Sequence, residues 1–268
     1  MKALNRSGPT CGKLGQDKGQ GKGQDKGQDM RHVNRKLIDI HDRVILVKTL
    51  TGSRADGTNV TGSDTDFVTV VSDTPQELLG TEPKKKGRFF AGDDDKVIYT
   101  LSHFVDVILN GSDVATNILF ASRKNAFVKS NVWDILFKNR LKFLNLATYQ
   151  AYLRHANKMM REGRDSGSSK KFAQGATLVF QLGELVRDKH VYDGRVPLPD
   201  ALMLKSLKIR KIGIEEVASA LDIDDRYEYL SGITPDWEAC KTTVDSVMME
   251  INMFILRNSK CSFGFFLD

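Results

Sequence analysis

The stretch TLTGSRADGTNVTGSDTDFVTVV (residues 49–71) holds the residues whose types and spacing best fit chemistry. Gly52 and Ser53 follow an apolar, β-branched run (43–50), and ten residues separate Ser53 from Asp64-Thr65-Asp66. A Gly-Ser turn that leads into a helical turn presents backbone N–H groups and a hydroxyl to an incoming anion. Side chains alternate faces along a strand, so a strand over 63–71 is expected to set Asp64 and Asp66 on one face and Thr65 and Phe67 on the other. Neighbouring carboxylates repel each other unless a cation lies between them. Hard divalent ions meet that need: Mg²⁺ typically takes one or two carboxylates together with substrate phosphates, and Mn²⁺ suits the same oxygen donors. Two such ions clamp the attacking and leaving oxygens of a phosphoryl transfer. An Asp-x-Asp alone is common at strand starts. The Gly-Ser ten residues upstream, set between two strand-like runs, is what turns the pattern into a site for a nucleoside triphosphate and its metal.

A third carboxylate on the next strand would complete such a site by sharing the metal and helping to deprotonate the acceptor hydroxyl. Asp93, Asp94 and Asp95 stand before KVIYTL (96–101), and Asp95, which adjoins that run, is the preferred candidate. Between the two acidic strands, Lys84, Lys85, Lys86 and Arg88 are positioned to steer a polyanion.

The elements that must hold these residues follow from periodicity. Strands are expected over 43–50, 63–71 and 96–101, with 72–95 as a loop. From Ser102 the chain reads as helical, with Ser102 as an N-cap and Asn110-Gly111 as a stop. Further helices are expected over 113–122, 130–140, 146–163, 170–189, 201–211 (capped by Asp200), 213–221 and within 236–258, and 164–171 reads as a flexible link. Met248, Met249 and Met253 in the last helix are read as core. The expected fold is α+β: a small mixed sheet with flanking helices (31–125), then an all-helical half (126–268). Residues 1–30 include the repeated Gly-Gln-Asp-Lys unit GQDKGQGKGQDKGQD and no core-forming periodicity, which reads as a disordered, solvated basic arm.

With those residues in view, the chain resembles the DNA polymerase beta-like nucleotidyltransferase superfamily: Gly-Ser, a spacer, then Asp-x-Asp. The wording over 52–71 looks like one branch, the predicted nucleotidyltransferases linked to RNA repair pathways. IYTLSHFVDVILNGSDVATNILFA (98–121), ATYQAYLRHANKMM (147–160) and LKIRKIGIEEV (207–217) are similar to later segments of that branch. The resemblance implies that Gly52 and Ser53 grip the triphosphate, that Arg54 lies near the phosphates, and that Asp64, Asp66 and Asp95 bind the metal. It implies transfer of a nucleoside monophosphate to an RNA acceptor, most plausibly a tRNA 3′ end, with release of pyrophosphate. The chain also departs from the branch. A His and an Arg of the family's long helix fall at Gly175 and Leu178, and an acid of an earlier helix falls near Thr116 or Asn117. Two other readings therefore stand beside the first. One is a nucleotidylating enzyme of toxin–antitoxin type with a protein acceptor. The other is a catalytically inactive nucleotide- or RNA-binding module. The arm and the extra C-terminal helix look unlike compact cellular members and suggest a phage or mobile-element source.

Composition sets outer limits. Hydrophobic residues make up 40% and charged residues 28%, which fits a chain with a packed core. The net charge of +6 is compatible with a polyanionic partner without demanding one. Cys11, Cys240 and Cys261 give no disulfide framework or metal knuckle, and the five His show no metal spacing. No apolar run reaches bilayer length and the N-terminus lacks a signal-peptide core, so a cytoplasmic protein with no membrane partner is expected.

Overall fold

Three β-branched runs build the centre of a mixed sheet. The computed structural model describes residues 43–84, 88–90 and 97–258. The expected arm, Lys85, Lys86, Asp93, Asp94 and Asp95 lie outside the described residues. The strands are β1 (Ile45–Thr51), β2 (Asp66–Val71), β3 (Arg88–Phe90), β4 (Val97–Thr100) and β5 (Ala126–Lys129), in the spatial order β3-β4-β2-β1-β5. β1 runs antiparallel to β2 and β5, β2 parallel to β4, and β3 antiparallel to β4. The parallel strand β4 is buried at all four residues, as its unbroken apolar run requires. In β2, Val68 and Val70 face the core while Phe67, on the other face, packs edge-on against Phe127 of β5.

The helices come in the order expected, with changes. They are α1 (Gly52–Asp56), α2 (Pro75–Leu79), α3 (Leu101–Leu109), α4 (Asp113–Asn125), α5 (Asn131–Lys138), α6 (Leu146–Ser166), α7 (Ser169–Arg187), α8 (Leu198–Lys208), α9 (Ile214–Ala220), α10 (Ile223–Ser231) and α11 (Lys241–Asn258). α6 and α7 form a long antiparallel pair, and Gly175 lets them touch: a Cβ there would meet Met160 N at 2.7 Å and Ala156 O at 2.8 Å. Phe104, Trp133, Phe143, Tyr152 and Phe172 fill the core around α3, α5, α6 and α7, each fully buried. Burial of this kind contributes about 1.5–3 kcal/mol per large apolar side chain.

Several sequence expectations need correction. The expected loop 72–95 contains α2 and β3. Thr74 and Glu77 close a capping box at the start of α2, and Pro75 occupies its first turn. The half expected to be all helical opens with β5, which completes the sheet beside β1; all described residues fall within one unit of the chain. Ser102 does not cap α3. The helix starts at Leu101, and both the N–H and the hydroxyl of Ser102 donate to Asp73. The expected link 164–171 is mostly helix, with α6 running to Ser166 and α7 starting at Ser169; between them Gly167 takes the left-handed conformation with the return bonds of a Schellman cap, and Ser168 caps α7. Asp200 lies inside the first turn of α8 rather than at its cap. Met249 and Met253 are exposed, because Val244, Val247, Ile251 and Ile255 form the buried stripe of α11.

No single described helix is long and apolar enough to cross a membrane.

Candidate functional site

Register alone brings the two halves of the opening motif together. Thr51, the last residue of β1, pairs with Asp66, the first residue of β2. Gly52 leaves β1 at φ +65°, a conformation that suits glycine, and a Cβ added there would meet Asp66 Oδ2 at 2.9 Å. The Asp66 carboxylate thus lies against the backbone of the Gly-Ser turn. Thr51 at the N-cap of α1 makes no side-chain cap bond, so the first N–H groups of that turn stay uncapped.

Asp64 reaches the same place by a different route. It is not in the strand, which begins at Asp66, so strand alternation does not place it. Arg54 does. Its Nε donates to the Asp64 carbonyl at 3.1 Å and its Nη2 to the Ser63 carbonyl at 2.9 Å, pinning the loop that precedes β2. The guanidinium expected to lie near the phosphates is committed to this loop. Asp64 and Asp66 are both exposed, and neither carboxylate has a hydrogen-bond or ion-pair partner among the described residues.

These residues form one rim of a cleft of about 440 Å³. Gly52, Ser53, Asp64 and Asp66 line that rim, and the helices supply the rest of the polar lining: Asp113 and Asn117 of α4, His155 of α6, Lys170, Gln174 and Gln181 of α7, and Lys208 of α8. The sequence reading assigned none of these helical residues to the site. Their spacing along amphipathic helices is that of ordinary core and surface positions. Only tertiary packing turns one face of α4 and one face of α7 toward the Gly-Ser turn.

Part of the wall is a buried polar network. The Asn117 amide donates to Gln181 at 2.9 Å and its carbonyl oxygen accepts from the hydroxyls of Tyr152 and Tyr192; Gln181 donates to the Gly194 carbonyl at 2.8 Å. Burial holds both phenols well above their ordinary range, so they act as donors. Asn117, which falls near where the resemblance would put an acid, is a strut of this network. Leu178 lines the cleft as an apolar side chain, and Gly175 is the close α6–α7 contact.

A second group, in the lining of the same cleft, braces the end of the Gly-Ser helix. Lys208 Nζ donates to Thr58 Oγ1 at 2.6 Å and to the Thr58 carbonyl at 3.0 Å, while Asp56 accepts from the Thr58 N–H and hydroxyl. Loss of solvent raises the Asp56 carboxyl above its ordinary value, and it lowers the Lys208 ammonium, which Lys170 and Lys205 lower further. Burial outweighs their mutual attraction. Lys170 and Lys205 themselves have no ion-pair partner among the described residues.

The third notable group is the pair His155–Asp113. His155 Nδ1 lies 2.6 Å from Asp113 Oδ2, and this hydrogen bond holds the imidazole above its ordinary value against the opposing effect of burial.

Among the described residues, no cluster of three or more His, Cys, Asp or Glu side chains is arranged to hold a metal ion. Asp64 and Asp66 nonetheless fit Mg²⁺ or Mn²⁺ by donor chemistry: they are hard oxygen donors, unpaired and open to the cleft, and Mg²⁺ sites commonly take one or two carboxylates and complete their shell with phosphate and water. Asp95 lies outside the described residues. Lys84 lies off the cleft. Its Nζ donates to Ser102 Oγ at 3.1 Å, beside Asp73, beyond the opposite end of β2 from Asp66. Lys85 and Lys86 are outside the described residues, and Arg88 is described as the backbone that opens β3. No protein-family model, no curated protein and no solved structure matches this chain.

Proposed function

We propose that this protein is a metal-dependent nucleotidyltransferase that moves a nucleoside monophosphate from a nucleoside triphosphate to an acceptor hydroxyl, with an RNA 3′ end of the tRNA type as acceptor. The observation that carries the reading is the closeness of the Asp66 carboxylate to Gly52, where a Cβ would lie 2.9 Å from Oδ2, at the rim of a cleft large enough for a ligand. An uncapped Gly-Ser turn is a seat for phosphate, and an unpaired carboxylate against it is a costly neighbour for that phosphate unless a divalent cation joins them. Asp64 and Asp66 would hold that metal, with Asp95 as the third acid. When bound, the metal supplies Lewis-acid stabilisation of charge on the phosphoryl oxygens.

The chain's own residues do the rest. The N–H groups of the turn and the Ser53 hydroxyl, which has no partner among the described residues, bind the triphosphate. Arg54 and Lys208 keep the acidic loop and the turn in register with each other. The acceptor oxygen attacks the α-phosphorus, its bond to phosphorus forms as the bond to pyrophosphate breaks, and the acceptor proton passes to a base in the cleft. The unpaired Lys170 on the cleft wall and Lys205 near it favour a polyanionic acceptor.

The test is incubation with Mg²⁺ or Mn²⁺ and each labelled nucleoside triphosphate, with and without total tRNA. Label on RNA that disappears in Asp64→Ala/Asp66→Ala is the expected result. Label on protein moves the acceptor to a side chain. No incorporation with any nucleotide, under either metal, would sink the enzyme reading.

A further inference from the structure

The helical part of the cleft lining carries an acid–imidazole pair that metal and phosphate binding leave unused. Asp113 opens α4, where Ser112 caps the helix through the Ala115 N–H, and a carboxylate in that first turn is stabilised by the helix dipole. Asp113 is almost fully buried, whereas the His155 side chain keeps about a third of its surface (32%) open. Both residues line the cleft with Gly52, Asp64 and Asp66. The bond from Nδ1 to Asp113 fixes which ring nitrogen carries the proton, and Nε2 has no partner among the described residues. A pair serving only to tie α4 to α6 needs no exposure to the cleft, and Tyr152 already joins those helices through Asn117.

We propose that His155, oriented by Asp113, is the general base that takes the proton from the acceptor hydroxyl in the transfer reaction. This rests on the nucleotidyltransferase reading above. Nε2 accepts the hydroxyl proton as the oxygen–phosphorus bond forms; the electron pair of the breaking bond leaves with pyrophosphate, and the imidazolium returns its proton to solvent. Asp113 stabilises the imidazolium and is a positioning residue. In this division of labour the sheet rim holds the donor nucleotide and the helical wall handles the acceptor.

Of the charged groups on the elements packed against α6 (α3, α4, α7 and α10), Asp113 is the one that acts on the ring, together with Lys158 of its own helix. Asp113 raises the imidazole, and Lys158 lowers it less. Transfer should therefore rise with pH along a limb that lies above the ordinary imidazole value of about 6.5, because the base works only when Nε2 is unprotonated.

The experiment uses the full chain with the nucleotide and acceptor that the transfer assay selects. It compares wild type, His155→Gln and Asp113→Asn in single-turnover rate against pH, affinity for the labelled nucleotide, and melting temperature. For His155→Gln the expected result is a fall in transfer of about 10²–10⁴-fold, the usual worth of a general base, with nucleotide affinity within about twofold and the rising limb gone. For Asp113→Asn the limb should move to lower pH, since the main cause that raises the imidazole is removed. Should His155→Gln melt well below wild type, the limb of Asp113→Asn and an NMR titration of His155 in the wild-type chain decide. Transfer by His155→Gln at the wild-type rate with an unchanged pH profile, or a limb unmoved in Asp113→Asn, overturns this proposal alone. No transfer by wild type with any nucleotide overturns both this proposal and the reading it rests on.

Discussion

The two ends of β2 carry acids of opposite kinds. At its start, Asp64 and Asp66 are exposed and lack partners among the described residues. Beyond its other end, Asp73 and Glu77 are buried. Glu77 receives a two-pronged bond from Arg43, at 2.8 Å on each oxygen, and accepts the Thr74 N–H at 2.9 Å; Arg43 also donates to the Ser72 carbonyl at 2.9 Å. Asp73 accepts from Ser102 through Oδ2, burial raises its carboxyl above the ordinary value, and its Oδ1 has no hydrogen-bond partner among the described residues. The length of one strand thus separates acids engaged by the fold's own donors, Glu77 above all, from acids that no described residue engages. The difference teaches which acids to test for function: the bare pair, and not the better-connected one.

The largest expected effect lies at the buried end. Glu77→Ala leaves the Arg43 guanidinium buried without its counter-charge, and such losses cost about 3–5 kcal/mol. Urea unfolding should show a midpoint lowered accordingly, while the transfer rate per folded molecule stays unchanged. At the open end the pattern reverses. Asp66→Asn should cut transfer by about a hundredfold or more, the scale on which metal sites respond to lost support, yet leave unfolding free energy within about 0.5 kcal/mol, as for an exposed substitution. If Asp66→Asn unfolds the protein and Glu77→Ala does not, the contrast between the two ends is wrong.

A smaller effect is expected at the junction of β1 and β2. Gly52→Ala puts a methyl group against Asp66 Oδ2 in a left-handed backbone conformation. It should cost about 1 kcal/mol or somewhat more, and should weaken nucleotide binding by displacing the carboxylate. Equilibrium binding of labelled nucleotide reads the second effect independently of the first.

The smallest expected effect on stability belongs to the helical wall. The His155 imidazole is raised in the folded chain, so its pairing with Asp113 stabilises fully below the unfolded value of about 6.5 and is lost as pH rises through the folded value. His155→Asn should therefore lower stability at pH 5.5 by less than about 1 kcal/mol, given the partly exposed ring, and converge on wild type at alkaline pH. Thermal melts across that range check the sign. A loss that grows with pH would mean that burial, rather than the Asp113 bond, sets the ring's protonation.

Much of the fold was legible because periodicity is local. β1, β2, β4, α4 to α9 and α11 each carry their own pattern of apolar residues, and the structure forms them close to where the pattern puts them. The misses have common physical causes. α2 is a single capped turn in a polar stretch, too short for a period to register. β5 reads as part of a helical run, because AFVK (126–129) takes its strand identity from pairing with β1. Ser102 has the chemistry of a cap, but a buried carboxylate 29 residues away claims its hydroxyl.

The sequence by itself determined the sheet rim: which residues bear oxygen donors, where glycine permits a left-handed exit from β1, and that a strand leads into the turn and another follows the acids. These are properties of residue types at short spacing. Only the tertiary structure decided that Asp64 is held by Arg54 rather than by strand alternation, and that Asp113, His155, Lys170 and Lys208 share a cleft with the motif. Those residues come from α4, α6, α7 and α8, and no local rule links a charge on one helix to a turn sixty or more residues earlier; packing of the apolar faces does, and the polar side chains go where it carries them.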